Sequence, residues 1–393
     1  MSFKEIIKKF IPKFLFSVYH YKLAFLGALV FGFPGKNKKL KIIGVTGTSG
    51  KSTTVNFITK ILEESGARVA SISSIRFKVA EKEWENKYKM TMPGRFVIQK
   101  FLKQALKENC KYIVLEVTSE GIKQFRHKFI NFDTVVFTNL SKEHIESHGS
   151  FENYRNAKLK LFKENKNIHI INADDENSKY FLDVSAKKKI TFSSKDLESQ
   201  KIKLNIIGQF NTMNALASIA VAKNYGIELD VCGRAIEKVK EISGRMEIVK
   251  KEPFMVVVDY AHTPEQLESV YKSFKNKSLI CVLGSCGGGR DKWKRPVLGE
   301  IAKKYCSKII ITNEDPYDED PVEIINQVAQ NSGENSEKIL DRKEAIKKAV
   351  NLAKTGEVVV ITGKGSEPWM CVANGKKIPW DDRVIAKEAL NNK

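Results

Sequence analysis

The chain has 393 residues, 67 Lys and Arg against 46 Asp and Glu, a formal charge of +21 and 42% hydrophobic residues. This length and apolar content exclude a disordered chain and allow two to three domains with ample cores. The basic residues are 56 Lys and only 11 Arg, spread along the whole chain, which argues against a nucleic-acid reader built on Arg forks. Residues 1–41 carry nine Lys and a single acid, Glu5. Within them, residues 14–33 are almost wholly apolar, but His20 and Lys22 interrupt the run. The uncharged stretch 23–33 has eleven residues, too few to cross a bilayer. No small-x-small site follows it, so a cleavable signal peptide fits poorly. Three readings stand for residues 1–40: a helical hairpin packed on the body, an interfacial basic anchor, or a span.

From Lys41 onward, short apolar runs alternate with helical stretches, the pattern of a mainly parallel α/β sheet. The first half predicts strands at 41–46, 68–73, 112–117, 134–139 and 168–173, and a helix over 208–226. The second half predicts strands at 255–261, 279–285, 308–314 and 357–363. A boundary near Ser243 and Gly244 gives a central domain over 41–243 and a C-terminal one over 244–393. The six cysteines, Cys110, Cys232, Cys281, Cys286, Cys306 and Cys371, contain no C-x-x-C pair. They form no disulfide ladder, and a reduced, cytosolic chain is the expectation.

The strongest local signal is a phosphate loop. Strand IIGVT runs into Gly47, Thr48, Ser49, Gly50, Lys51, Ser52 and Thr53, then into a helical stretch. Glycines let backbone N–H groups close around phosphate oxygens, and the helix N-terminus adds its positive end. Lys51 can reach terminal phosphates, and the Ser52 hydroxyl can meet Mg²⁺. Gly44 lies one position too far from Gly50 for G-x-x-x-x-G-K-[ST], so the match is to its core, G-x-x-G-K-S. Glu116 ends one predicted strand and His144 follows another. In α/β folds such positions converge over the phosphate loop, although Mg²⁺ prefers oxygen to imidazole.

Further motifs follow in order: EVTSEGIKQFR, FTNLSKEHIESHG, YRNAKLKLF, GQFNTMNALAS, GRME, VDYAHTP, GGGRDKWKRP, GKGSE and PWDDR. Together they resemble the Mur ligase family, the ATP-dependent amide-bond ligases of peptidoglycan precursor synthesis, and most closely its third-step, tripeptide-synthetase type. The resemblance runs from Lys41 to Leu390. It implies a central P-loop ATPase domain with a mainly parallel sheet and a C-terminal Rossmann-like α/β domain. The implied cofactors are ATP and Mg²⁺, and the implied partners are small-molecule substrates, with no nucleic acid.

The resemblance also implies roles. Lys51 and its loop would hold ATP phosphates. Ser52, Glu116, His144 and a carbamylated Lys158 would hold Mg²⁺. Asn211, Asn214, Arg245 and Asp259 would complete the nucleotide site. Thr91, Met92, Thr118, Gln124 and Arg126 would meet the acceptor. Arg290, Glu314, Asp315, Tyr317, Gly363 and Glu367 would meet the incoming amino acid.

The implied activity adds an amino acid, expected to be a diamino acid, to a UDP-N-acetylmuramoyl-dipeptide-like precursor through an acyl phosphate. Departures from the pattern bear on specificity. Glu314-Asp315-Pro316-Tyr317 stands where the family has D-N-P-R or a variant, and Tyr lacks the fork of Arg. That position does not favour meso-diaminopimelate, and lysine or another diamino acid stays open. Thr91-Met92-Pro93 stands for T-T-P, Glu120 for His, and Ser366 for His. Only some forty residues precede the loop where the family carries a uridine-binding domain, so an altered acceptor site is expected. The alternatives are a cyanophycin-like, folylpolyglutamate-like or lipid-linked acceptor, or a membrane-tethered nucleotide-binding module without catalysis. The expected setting is a monomer in the cytoplasm, with peripheral contact at the inner membrane face through the N-terminal segment.

Overall fold

A computed structural model describes residues 13–88, 90–196 and 202–393 of the chain. The part of the N-terminal segment in residues 1–12 lies outside the described residues. Compact units divide the chain: one comprises residues up to Leu140, Glu152–Lys203 and Met213–Ile236, the other Ser141–Phe151, Leu204–Thr212 and Glu237–Lys393. The chain passes into the second unit for good after Ile236, and two earlier segments already belong to that unit.

The first unit is built on an eight-stranded sheet. Its strands are β1 (Lys41–Thr46), β2 (Val69–Ile72), β3 (Arg76–Val79), β4 (Lys82–Glu85), β5 (Tyr112–Glu116), β6 (Phe132–Phe137), β7 (Ile168–Asn172) and β8 (Lys188–Phe192). They lie in the order β4-β3-β2-β5-β1-β6-β7-β8. All neighbours from β2 to β8 run parallel, and β3 and β4 add an antiparallel margin. The central strands are apolar and buried along their length, as sheets covered on both faces require. Val45 pairs with Glu116 and Thr46 with Phe137, so the carboxyl ends of β5, β1 and β6 stand side by side.

The second unit repeats the plan with six strands: β9 (Glu247–Lys250), β10 (Met255–Asp259), β11 (Leu279–Leu283), β12 (Lys308–Thr312), β13 (Ser336–Ile339) and β14 (Val358–Thr362). Their order is β13-β12-β11-β14-β10-β9, parallel except for β9. Apolar clusters cover both faces. One sets Leu267, Tyr271 and Leu298 against Val257 and Ile309, and the other sets Ile346, Val350 and Ala386 against Val258 and Ile310.

Four sequence readings need correction or trimming. The strand expected at 134–139 is Phe132–Phe137; Phe132 opens the pairing, and a register shift between Ile42 and Ile43 accommodates it. The short polar strands β3, β4, β8, β9 and β13 carry no strong apolar run and were not predicted. Of the first forty residues, those described form one helix, Lys13–Val30, followed by a short 3-10 turn, Pro34–Lys36; the other arm of the expected hairpin would fall in residues 1–12, outside the described residues. The expected span is the reading that needs correction, since no helix among the described residues is long and apolar enough to cross a membrane. The cysteines are not all reduced. Cys281, in β11, and Cys306, just before β12, form a disulfide across 25 residues of sequence. Adjacent parallel strands bring the two together, a proximity that no short spacing motif reports.

Candidate active site

In the first unit, β1 ends at Thr46 and the chain turns through the phosphate loop into the helix Lys51–Glu64. Gly50 is the N-cap, in the left-handed region at φ 78°, and no side chain caps the helix. The free N-terminal N–H groups of such a helix suit an anion. A Cβ at Gly50 would lie 2.2 Å from Asn214 Oδ1, and one at Gly47 would lie 1.9 Å from Thr138 Oγ1. The loop is therefore pressed between β6 and the helix Phe210–Asn224, which carries Asn214.

The end of β6 holds the loop's shape. Asn139 accepts from the Ser49 N–H at 2.9 Å and the Ser49 hydroxyl at 3.0 Å through Oδ1, and its carbonyl accepts from Thr48 N–H at 2.9 Å. The Thr138 hydroxyl donates to the Ser49 carbonyl at 2.8 Å. Thr138 and Asn139 were not singled out from sequence, though the FTN run at a strand end was their signal.

Glu116 projects from β5 and is buried. It accepts from the Ser52 hydroxyl at 2.8 Å and from the Ser74 N–H at 2.9 Å, with Lys51 Nζ 4.0 Å away. Lys158 lies on the helix Phe151–Glu164 and is 1% exposed. Its amine donates to the Gly47 carbonyl at 2.7 Å and sits 4.6 Å from the Tyr154 ring centre, while Tyr154 meets the Thr48 hydroxyl at 3.1 Å. Burial, and then the positive charge of Lys51, hold the Lys158 pKa well below its usual value. The lowered pKa favours the unprotonated amine, the form that CO₂ adds to, yielding a carbamate and a proton. The resulting oxygens would join Ser52 and Glu116 as hard ligands, so this donor set fits Mg²⁺. Among the described residues no group of three or more His, Cys, Asp or Glu could hold a metal; a site here needs the hydroxyl and the modified lysine.

The acceptor residues also gather in the first unit. Arg126 is buried, with its guanidinium on the Met92 carbonyl and on Gln124 Oε1 at 2.7 Å. Gln124 donates to Glu120 Oε1 at 2.6 Å, and Thr118 caps the short helix Ser119–Lys123. Arg95 joins this group, donating to the Gln124 carbonyl at 3.1 Å. Among the described residues neither Arg95 nor Arg126 has a carboxylate ion pair, and burial lowers both pKa values. Two cations resting on carbonyls suit an anionic ligand. Thr91 adjoins them in the chain and is partly exposed.

His144 and Asn211 belong to the second unit. His144 has φ 58° and precedes the short helix Ile145–His148. Its loop is anchored within that unit: Glu143 accepts from Lys294 at 3.0 Å, both fully enclosed, and Asp291 accepts from the Glu146 N–H at 2.9 Å. Asn211 donates to the Ile207 carbonyl at 2.7 Å.

The predicted amino-acid residues cluster at the carboxyl ends of β10, β11, β12 and β14. Lys364 is fully buried and donates to Asp315 at 2.8 Å and Glu367 at 2.6 Å. The Tyr260 hydroxyl donates to Glu367 at 3.0 Å, and the Arg245 guanidinium stacks over the Tyr260 ring at 4.3 Å. Asp259 accepts from the Met246 and Ala261 N–H groups, both at 2.7 Å. Glu314 accepts from Cys286 Sγ at 2.8 Å, and burial raises its pKa. A Cβ at Gly363, where φ is 109°, would fall 2.3 Å from Glu314 Oε2. Tyr317, at φ 53°, hydrogen-bonds to Arg290, and its ring lies against Gly288. Lys364, Tyr260 and Cys286 were not picked out from sequence; the GKGSE and YAHTP motifs contained two of them.

Family models for the Mur ligase middle domain and for the Mur ligase glutamate ligase domain match residues 45–201 and 244–365. A UDP-N-acetylmuramoyl-L-alanyl-D-glutamate–2,6-diaminopimelate ligase of Syntrophomonas wolfei is 36% identical over 406 residues, covering 94% of this chain and 82% of the relative. A solved structure of a ligase with that same title has 29% identity and a TM-score of 0.58, covering 90% of this chain and 78% of its own. Mycobacterium tuberculosis folylpolyglutamate synthase, solved with ADP and AMPPCP, has a TM-score of 0.69 at 15% identity, covering 87% of this chain and 92% of its own, a likeness of fold alone.

Proposed function

Because this chain belongs to the Mur ligase family, we propose that it is an ATP-dependent ligase of peptidoglycan synthesis, joining an amino acid to a UDP-N-acetylmuramoyl-dipeptide-like precursor. The observation that carries the reading is Lys158: a buried amine on the Gly47 carbonyl of the phosphate loop, its pKa depressed, in the unit where Ser52 and Glu116 bond each other. A solvated lysine would need none of that surrounding.

The residues divide the chemistry between them. The loop N–H groups and Lys51 bind the ATP phosphates and stabilise charge on the transferring phosphoryl group. The acceptor carboxylate attacks the γ-phosphorus, the bridging P–O bond breaks, and ADP leaves. The amine of the incoming amino acid then attacks the acyl carbon, and phosphate leaves with the electron pair. Arg126, Gln124 and Arg95 orient the anionic acceptor. Mg²⁺, held by Ser52, Glu116 and the Lys158 carbamate, would neutralise phosphate charge, and His144 keeps the ligand role implied by its motif. Asn211, Asn214, Arg245 and Asp259 serve the nucleotide.

Arg290, Glu314, Asp315, Tyr317, Gly363 and Glu367 receive the amino acid. Its class is a diamino acid. The relatives are named for 2,6-diaminopimelate, whereas Tyr317 offers a hydroxyl where a guanidinium would grip a second carboxylate. The proposed domains are 41–243 and 244–393, in keeping with the two family matches, and the setting is the cytoplasm, where ATP and nucleotide-sugar peptides are found.

The test is ADP release in the presence of UDP-N-acetylmuramoyl-dipeptide and a panel of the twenty amino acids plus diaminopimelate. Turnover should depend on one diamino acid and give a stoichiometric ligated product by mass. ATP hydrolysis indifferent to every amino acid overturns the ligase reading.

A further inference from the structure

The helix Lys13–Val30 is apolar on nearly every face but, among the described residues, packs through one. Ala24 and Ala28 are buried, and a Cβ added at Gly27 would lie in ordinary van der Waals contact, 3.5 Å from the backbone of Arg95 and Phe96. These small residues seat the helix on the start of the helix Arg95–Lys107. Tyr21, Phe25 and Phe33 flank the seat and meet Phe125 and Phe129. On the opposite side, at about 100° per residue, Leu15, Val18, Tyr19, Leu26, Leu29 and Val30 fall within one stripe about 120° wide. Every one of them is exposed, Val30 by 62%. An apolar stripe left in water, interrupted by Lys22 alone, marks a contact surface.

Charge selects the occupant. Residues 13–41 carry six Lys and no acid. Lys22 sits within the stripe, and Lys36, Lys38 and Lys39 are exposed just past its end. Among the described residues of this segment, Lys41 alone pairs with a carboxylate, Asp133 at 2.9 Å. A second copy would bring like charge to like. So would residues 1–12, with Lys4, Lys8 and Lys9 against Glu5. An anionic bilayer offers hydrocarbon to the stripe and phosphates to the lysines, which reach the headgroups on flexible stems. Tyr19, amphipathic, suits the headgroup level. No helix among the described residues is long and apolar enough to cross a membrane, and a docked helix of this kind would lie in the plane of the surface.

We infer that the helix Lys13–Val30 docks this chain onto an anionic phospholipid surface through its exposed apolar stripe and the adjoining lysines. The docking does not rest on the ligase reading. It bears on it, because Gly27 packs against the Arg95 backbone, and the docked helix therefore flanks the proposed acceptor residues of this unit.

Flotation of the full chain with vesicles of phosphatidylglycerol and phosphatidylcholine tests it, with phosphatidylcholine vesicles alone as the contrast. Binding should be at least tenfold stronger to the anionic vesicles and should weaken in high salt. Leu26→Glu with Leu29→Glu should cost at least tenfold in binding, as should Lys36→Ser, Lys38→Ser and Lys39→Ser together. Turnover on water-soluble substrates should be the same in both variants, which separates failure here from failure of the ligase reading. A wild type that stays with the unbound fraction, or equal flotation of wild type and the Leu26/Leu29 variant, overturns the inference. So does a wild-type dimer that the same variant turns into a monomer without lipid.

Discussion

Lys158 shows what burial does to one side chain. In water its amine would stay protonated far above neutral pH; burial, and then the charge of Lys51, hold its pKa well below the usual value. Between the depressed folded pKa and the unfolded value of 10.5, the unfolded chain carries a proton that the folded chain lacks. Stability owed to this residue therefore rises with pH through that window, and below it burial is a net cost. Lys158→Met should remove that cost and raise the melting temperature by about 2–4 °C, roughly 1 kcal/mol in a unit of this size. The same change should lower kcat by about 10²–10³-fold, the scale of losing one preorganised electrostatic group. Depleting bicarbonate should slow the wild type and leave the variant unaffected; a wild type indifferent to bicarbonate removes the carbamate from the mechanism. In composition Lys158 is one of 56 lysines, and only its motif distinguishes it.

The working element is β1, the loop and the helix Lys51–Glu64, and its requirement is conformational. Gly50 needs both a positive φ and the absence of a Cβ, because Asn214 occupies the space. Gly50→Ala should cost about 1–2 kcal/mol of stability from the backbone alone. It should also weaken ATP binding at least tenfold, read as a smaller nucleotide-induced rise in melting temperature. An unchanged shift would show that the loop does not cradle phosphate. Other elements were unequally legible. Strands such as KIIGVT are continuous apolar runs because helices cover both faces. The edge strand β4 is exposed at every residue and reads KEWE, so nothing in its composition announces a strand; its pairing with β3 makes it one.

At the scale of the molecule, each unit has its own sheet and its own apolar clusters, and a buried ion pair helps close the second. Arg342 donates to Asp382 at 2.9 and 2.6 Å and to the Thr362 carbonyl at 2.7 Å, with both charged side chains fully enclosed. This bidentate pair ties the C-terminal helix Asp382–Asn391 to the helix Arg342–Leu352 and to the end of β14. Removing one partner strands the other without water. Arg342→Met should therefore destabilise the second unit by about 3–5 kcal/mol in chemical denaturation. An ATP-induced stabilisation of the first unit should survive, giving two transitions where independent cores unfold separately. One unshifted transition would show that this pair contributes little.

The amino-acid sequence by itself determined the parallel α/β plan, the nine principal strands, the phosphate loop and the order of the motifs. These are local signals: backbone period, glycine placement and apolar run length act within a few residues. Tertiary structure alone decided that Cys281 meets Cys306, that Asn139 and Thr138 hold the loop, that Arg95 joins Arg126, and that Lys364 is locked between Asp315 and Glu367. It also decided which face of the helix Lys13–Val30 is buried, since a helix apolar all round has no preferred side until a neighbour supplies one. Each of these depends on residues far apart in the chain being placed together. Partnership, burial and the pKa shifts that follow from them arise only after the sheet has set its strand order.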